Sequence, residues 1–302
     1  MNINFQSINH LQSKLDQIVS LIYVLTEDEH RAILGIYEMS QKYANKYATE
    51  VFVYKSTTGI LNINEYKDEI DRREGKTSNE TIEINSALIH IYKQNKTDRK
   101  QIYIITEADQ HLDDNQIVRR VKDFVIQADN SDRNLKILIL MSSKLYLPQK
   151  LDKYTDVFVY PYPSEDEIKT EIESWIGKFN IAAKDKSKFV EIRTDYEIIN
   201  SLKGLTIPQI RKALTACVDI TRREKKVRLD PHILNVLKSE TVNKSSFIKF
   251  RNTGLTFSDI GGLGRLKNWF KIMQGGWTNE GRKFGLKTPK GAILIGLPGC
   301  GK

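Results

Sequence analysis

Five short apolar runs of strand character alternate with stretches whose apolar residues recur at helical spacing, and this alternation restricts the fold more than any other feature. The runs are Leu21–Leu25, Val51–Tyr54, Gln101–Thr106, Leu135–Met141 and Val157–Tyr160. Strands alternating with helices imply an open, mostly parallel sheet covered on both faces. After the first run, Thr26-x-x-Glu29 has the form of a capping box, which predicts a helix starting there. Its apolar positions are Ile33, Ile36, Met39, Tyr43 and Tyr47. The charged stretch Asp68–Glu80 reads as a surface loop before a helix at about 81–93, and a further helix is predicted at about 114–128. Beyond the last run, Pro161–Glu167 supplies a turn and a second capping box, Ser164-x-x-Glu167. From there to about Ser246 the pattern is helical, with another start at Thr206-x-x-Gln209 and no strand run. A small helical bundle is expected.

A length of 302 residues allows two domains, each large enough to bury its own core. Hydrophobic residues make up 40% and charged residues 28%, a globular composition that excludes collagen-like and wholly disordered chains. Apolar runs such as Ile102–Ile105 and Ile137–Met141 fall far short of a membrane span. Met1–Phe5 lacks the apolar core of a secretion signal and the Arg/Ser enrichment of a transit peptide. Cys217 and Cys300 have no metal-type spacing, so zinc and structural disulfides are not expected. The five histidines, His10, His30, His90, His111 and His232, are scattered without ligand spacing. Charge is uneven: residues 1–202 carry 27 basic and 32 acidic side chains, whereas residues 203–302 carry 20 basic and 6 acidic. The basic C-terminal third suits a polyanion, and charge alone does not choose between nucleotide, nucleic acid and lipid. The run Arg222–Arg228 reads first as a solvated helical face.

The chemistry-bearing motif is Gly296-Leu297-Pro298-Gly299-Cys300-Gly301-Lys302, preceded by the apolar run Ala292–Ile295. This is phosphate-loop spacing: the glycines let consecutive backbone N–H groups turn toward one anion, and the Lys302 ammonium reaches the outer phosphates. A bare Gly-x-x-x-x-Gly-Lys arises by chance about 0.1 times in a chain of this length and composition. The strand before it and the Pro289-Lys290-Gly291 entry make the assignment specific. Cys300 fills a position where a small side chain fits. Trp175, Trp269 and Trp277 read as packing anchors rather than base-stacking platforms.

Upstream stand Phe257-Ser258-Asp259-Ile260-Gly261-Gly262-Leu263, then Leu266-Lys267-Asn268-Trp269-Phe270, then Phe284-Gly285-Leu286. Together with the loop they resemble the opening of an AAA-type ATPase module. Within that superfamily the chain resembles the plastid and cyanobacterial AAA proteins of hypothetical chloroplast reading frame forty-six. The likeness is strongest over 253–302. The resemblance implies an α/β fold with a degenerate AAA-like domain over 1–180, a helical lid over 181–250 and the start of a second AAA domain over 251–302. It implies ATP with Mg²⁺ as cofactors, with Asp259, Ile260, Gly261 and Gly296–Lys302 as nucleotide-binding residues. It also implies a homo-oligomer acting on a protein client, in a plastid stroma or a cyanobacterial cytoplasm.

The residues support degeneracy of the first module independently. Leu25–Glu29 contains no glycine and carries three carboxylates, Glu27, Asp28 and Glu29, where a phosphate loop would be needed. Ile102–Asp109 resembles the carboxylate strand of ATPases, and Ser142 stands at the polar sensor position, but without a phosphate cradle Glu107 and Asp109 read as surface carboxylates. The hydroxyl that should follow Lys302 and hold Mg²⁺ is not in the sequence. The expectation is therefore the N-terminal part of an AAA ATPase, inactive as these 302 residues alone. The alternative is a non-catalytic interaction module with an ATPase-like fold. Nucleic-acid binding by the basic segment 203–251 is a weaker third reading.

Overall fold

The computed structural model describes residues 8–17, 19–42, 48–72, 79–94, 99–130, 135–182, 195–223, 227–242 and 257–277, with a few isolated positions besides. The chain divides into two compact units: Met1–Glu171 with Lys203–Lys212, and Ile172–Leu202 with Ala213–Lys302.

The first unit is a six-stranded sheet. Its strands are β1 (Leu21–Leu25), β2 (Thr49–Lys55), β3 (Gly59–Asn62), β4 (Lys100–Ile105), β5 (Lys136–Ser142) and β6 (Asp156–Val159). They lie in the order β3-β2-β4-β5-β1-β6. Every pairing is parallel except the β2–β3 hairpin, in which Phe52 faces Asn62 and Lys55 faces Gly59. The five runs read from the sequence are thus five of the six strands. β3 was not anticipated, because its four residues, Gly-Ile-Leu-Asn, are too few to show a pattern.

Strand alternation sends successive side chains to opposite faces, and each face has its own helical cover. Ile22, Val24, Val53, Ile102, Ile104, Ile137 and Ile139 pack against α1 (Ile8–Asp16), α2 (Glu29–Lys42) and α3 (Ile63–Arg72). Leu21, Tyr23, Tyr103, Ile105, Leu138 and Leu140 pack against α4 (Ile84–Lys93) and α5 (Asn115–Asp129). Both faces being covered explains why β4 reads as a continuous buried run rather than an alternating one. Two lysines at the amino ends of the strands close helix C-termini. Lys100 Nζ donates to Leu15 O at the end of α1, and Lys136 Nζ donates to Ile91 O and Gln94 O at the end of α4. A cation there offsets the negative end of the helix dipole.

The structure corrects two local expectations. Asp68–Arg72 is the last half of α3 rather than loop: the helix starts at Ile63, and its buried residues Ile63 and Tyr66 stand just before the charged stretch. After β1 the helix starts at Glu29, not at Thr26: Thr26 Oγ1 accepts from Asp28 N at 3.0 Å, and Asp28 O accepts the first helical bond, from Ala32 N. Tyr43 and Tyr47 lie outside the described residues.

The other two capping boxes form. At the start of α7 (Glu165–Ala182), Ser164 N donates to Glu167 Oε2 at 2.8 Å, and Glu167 N donates to Ser164 Oγ at 3.3 Å. At the start of α9 (Ile207–Arg223), Thr206 N donates to Gln209 Oε1 at 2.9 Å, and Gln209 N donates to Thr206 Oγ1 at 3.4 Å. Here α6 denotes the short helix Gln149–Asp152.

The second unit has helices and no strand among its described residues. It contains α8 (Tyr196–Leu202), α10 (Pro231–Val242) and α11 (Gly264–Gln274), with the later parts of α7 and α9. Ile176, Ile198, Leu202, Leu214, Cys217, Val218 and Leu234 are buried there. Burial raises the Cys217 thiol pKa. Its sulfur accepts from Asp230 N at 3.3 Å, tying α9 to the turn before α10.

Candidate functional site

In a parallel α/β sheet, ligands bind in the crevice outside the carboxyl ends of the strands. Four segments meet there in the first unit: Thr26–Glu29 after β1, Thr106–Asp109 after β4, Ser142–Lys144 after β5, and Tyr160–Pro163 after β6. Backbone bonds hold them in place, among them Thr26 N to Ser142 O at 2.9 Å, Thr106 N to Tyr54 O at 3.2 Å and Tyr160 N to Leu25 O at 2.9 Å.

The turn after β1 is built around a buried carboxylate. Asp28 is 7% exposed, and its Oδ2 accepts from Ile207 N, the first amide of α9, at 2.9 Å. Three residues on, Arg31 makes a bidentate pair with Glu167 at 2.9 and 3.1 Å, donates to Pro161 O at 2.7 Å, and lies 5.1 Å from the Tyr160 ring centroid. Burial pushes Glu167 up, but the bonds from Arg31 and Ser164 outweigh it and its carboxyl sits below the ordinary value. The Tyr160 hydroxyl is pushed up to about 12 by burial, against the pull of Arg31. Tyr160 reaches in over Gly35, where a Cβ would stand 2.0 Å from the hydroxyl oxygen. Only the bare backbone of glycine leaves room for that ring.

The cavity beside this turn measures about 130 Å³ and is lined by Thr26, Asp28, Arg31, Tyr160, Tyr162 and Thr206 among others. Nucleotide-sized ligands occupy about 300 Å³ or more. A wider hollow of about 450 Å³ opens between α2 and the start of α9. Both guanidinium groups lining it are engaged: Arg31 with Glu167, and Arg211 with Glu171 at 2.6 and 3.0 Å.

The second carboxylate segment is electrostatically hostile to phosphate as well. Burial raises the Glu29 carboxyl pKa, and the charge of Glu107 raises it further, while Lys55 opposes both. Glu107 itself adopts a left-handed backbone at φ 50° to start the Ala108–Gln110 turn. Ser142 Oγ donates to Asp109 Oδ1, so the sensor-position hydroxyl and the strand-end carboxylate satisfy each other. His111 is lowered by burial, against the pull of Glu107 and Asp109. Among the described residues no group of three or more His, Cys, Asp or Glu is placed to hold a metal ion. The carboxylates Glu27, Asp28, Glu29, Glu107 and Asp109 at these strand ends oppose a nucleoside triphosphate electrostatically.

Of the residues expected to bind nucleotide, Asp259, Ile260 and Gly261 are described and exposed. They leave the Phe257–Asp259 turn and enter α11 through Gly262 and Leu263, both with positive φ. Lys267 Nζ donates back to Ile260 O, and Phe257 stacks on Phe270 at 5.9 Å between centroids. Gly296, Leu297, Pro298, Gly299, Cys300, Gly301 and Lys302 lie outside the described residues. Sequence reasoning missed Arg31, Gly35, Tyr160 and the pairing of Asp28 with Ile207. The last pair is separated by 179 residues, and no local pattern links them.

A mostly parallel sheet covered by helices on both faces, with its crevice at the carboxyl strand ends, makes the first unit a mixed α/β module. Residues 7–160, half of the chain, match the family SpoVK-like AAA ATPase, N-terminal domain, and the chain belongs to that family. It is similar to the AAA domain-containing protein ycf46 of Gracilaria tenuistipitata var. liui, 24% identical over 97% of this chain and 55% of that protein. The ycf46 protein of Guillardia theta is 25% identical over 63% of this chain and 35% of that protein. The structure of C. elegans PCH-2 superposes loosely, at a TM-score of 0.43 and 13% identity, covering 78% of this chain and 65% of that one. The chain spans about half or less of the length of the curated relatives it matches. Among the described residues no helix is long and apolar enough to cross a membrane.

Proposed function

We propose that the chain is the N-terminal portion of an AAA ATPase whose first module has given up nucleotide and whose chemistry belongs to Gly296–Lys302. The observation that carries this reading is the closure of the first crevice by its own side chains, Asp28 foremost. ATP binding then falls to the one Gly-x-x-x-x-Gly-Lys sequence in the chain. On this reading the backbone N–H groups on either side of Pro298, those of Gly299, Cys300 and Gly301 above all, cradle the phosphates, Lys302 neutralises the outer ones, and Asp259, Ile260 and Gly261 line the same nucleotide. ATP with Mg²⁺ supplies the hydrolysable phosphoanhydride. The domain reading that accompanies this is a degenerate module over 1–180, a helical lid over 181–250 and a second module from 251 onward. On this reading the complete protein is a homo-oligomer that remodels a protein client in a plastid stroma; the ycf46 relatives support the plastid location alone.

The test is ATP turnover by the complete protein and by residues 1–302. The complete protein hydrolyses ATP with Mg²⁺, and Lys302→Ala lowers turnover by about 100-fold or more, as expected for loss of one preorganised electrostatic partner. Residues 1–302 alone give no turnover. A complete protein that neither binds nor hydrolyses ATP defeats the proposal. That outcome favours the second reading, a non-catalytic interaction module, which rests on the same self-filled crevice.

A further inference from the structure

The start of α9 has its early backbone donors accounted for. An α-helix leaves its first four N–H groups without intrahelical partners, and together with the helix dipole they make a ready anion site. Here Thr206 N is bonded to Gln209 Oε1, Ile207 N to Asp28 Oδ2, residue 208 is proline and has no N–H, and Gln209 N is bonded to Thr206 Oγ1; the first intrahelical bond, from Ile210 N to Thr206 O, follows. Asp28 also stands at the head of α2, where its carbonyl accepts the first helical bond, and its own N–H is held by Thr26 Oγ1. Asp28 therefore leads into α2 through its backbone and caps α9 through its buried carboxylate, just beyond the end of β1.

We infer that the first unit keeps an anion position permanently filled by its own Asp28, and that this carboxylate clamps the Lys203–Lys212 segment to the β1–α2 turn without any nucleotide. The clamp is reinforced on either side by Lys203 with Glu165 at 2.5 Å and by Arg211 with Glu171. An anion that must arrive from solution makes closure depend on its concentration, whereas a tethered one does not. The unit is thereby constitutively closed, and its geometry is independent of ATP. The inference does not depend on ATP binding at Gly296–Lys302, since every group in it belongs to the first unit.

The test is amide hydrogen exchange on the full chain, free of nucleotide, for wild type, Asp28→Ala and Asp28→Asn. In Asp28→Ala, exchange over 207–212 rises at least about tenfold, the loss expected for a charge-assisted bond, while β4 and β5 amides stay protected. Formate, which replaces the deleted carboxylate, restores protection to Asp28→Ala, and chloride at matched ionic strength does not. The wild type responds to neither formate, inorganic phosphate nor ATP over 203–212. Unchanged exchange over 207–212 in Asp28→Ala overturns the clamp. Failure of formate to restore protection, or a wild-type response to phosphate or ATP, overturns the filled anion position. If Asp28→Ala exposes the β4 and β5 amides, the isosteric Asp28→Asn decides: a rise confined to 207–212 supports the inference, and wild-type exchange there rejects it.

Discussion

The end of β1 and the Gly-x-x-x-x-Gly-Lys sequence at 296–302 offer an anion opposite residues. The turn after β1, Thr26–Glu29, carries three acids and no glycine, and it is closed by Asp28 bonding Ile207. The segment after Ala292–Ile295 carries three glycines and a lysine over Gly296–Lys302. Standing at the carboxyl end of a parallel strand does not make a phosphate site. Donors must be left over after the fold has satisfied itself, and at the first turn none of the early donors of α9 is. A carboxylate that is part of the chain competes with any dissolved anion at very high effective concentration.

The sharpest way to break this comparison is Lys302→Ala in the complete protein, where about 100-fold or more in turnover is at stake. An equal loss from Asp28→Ala would show that the first turn also takes part in hydrolysis. Next in size is Gly35→Ala, which drives a methyl group against the Tyr160 hydroxyl. A destabilisation of about 1–3 kcal/mol is expected for overpacking of this kind, read from urea denaturation. Tyr160→Phe in the same background recovers part of it, because the nearest remaining ring atom then lies 3.2 Å away. Thr206→Ala removes the capping box of α9 at a cost of about 1 kcal/mol. Loss of protection confined to 207–210 in hydrogen exchange would match the clamp, and global loss would not.

The smallest effect concerns Glu29. Its folded pKa is raised by burial and by Glu107, so the folded state holds that proton more readily than the unfolded chain does. The stabilisation is present below the ordinary carboxyl value and is lost as pH rises through the raised one. Glu29→Gln therefore raises the thermal midpoint slightly at neutral pH and leaves it unchanged in acid. A melting series across that range checks the sign, and a drop at neutral pH would mean that Glu29 is held by a favourable partner instead.

Much of the first unit was legible from local pattern. Runs such as Leu21–Leu25 and Lys136–Ser142 are apolar on both faces because helices cover both, and Ser164 and Thr206 mark helix starts through bonds only three residues long. Segments whose identity rests on few residues or on concealed stripes were not legible. β3 is four residues held by its hairpin with β2, and the second half of α3 looked like loop because Asp68, Glu69, Asp71 and Arg72 leave Ile70 as its one apolar residue. The acidic character of Thr26–Glu29 could be read from the sequence alone. The reason the turn is also full, Asp28 on Ile207 and Tyr160 over Gly35, could not.

From its residues alone, the chain commits to a parallel α/β sheet, to a first strand end without a phosphate cradle and to a Gly-x-x-x-x-Gly-Lys sequence at 296–302, because propensity, spacing and charge act over a few residues. Tertiary structure decided which carboxylate among Glu27, Asp28 and Glu29 is buried, which helix it caps and why Gly35 must be glycine. Those choices are made by contacts between positions 125 to 179 residues apart, where burial turns an ordinary surface acid into an internal ligand.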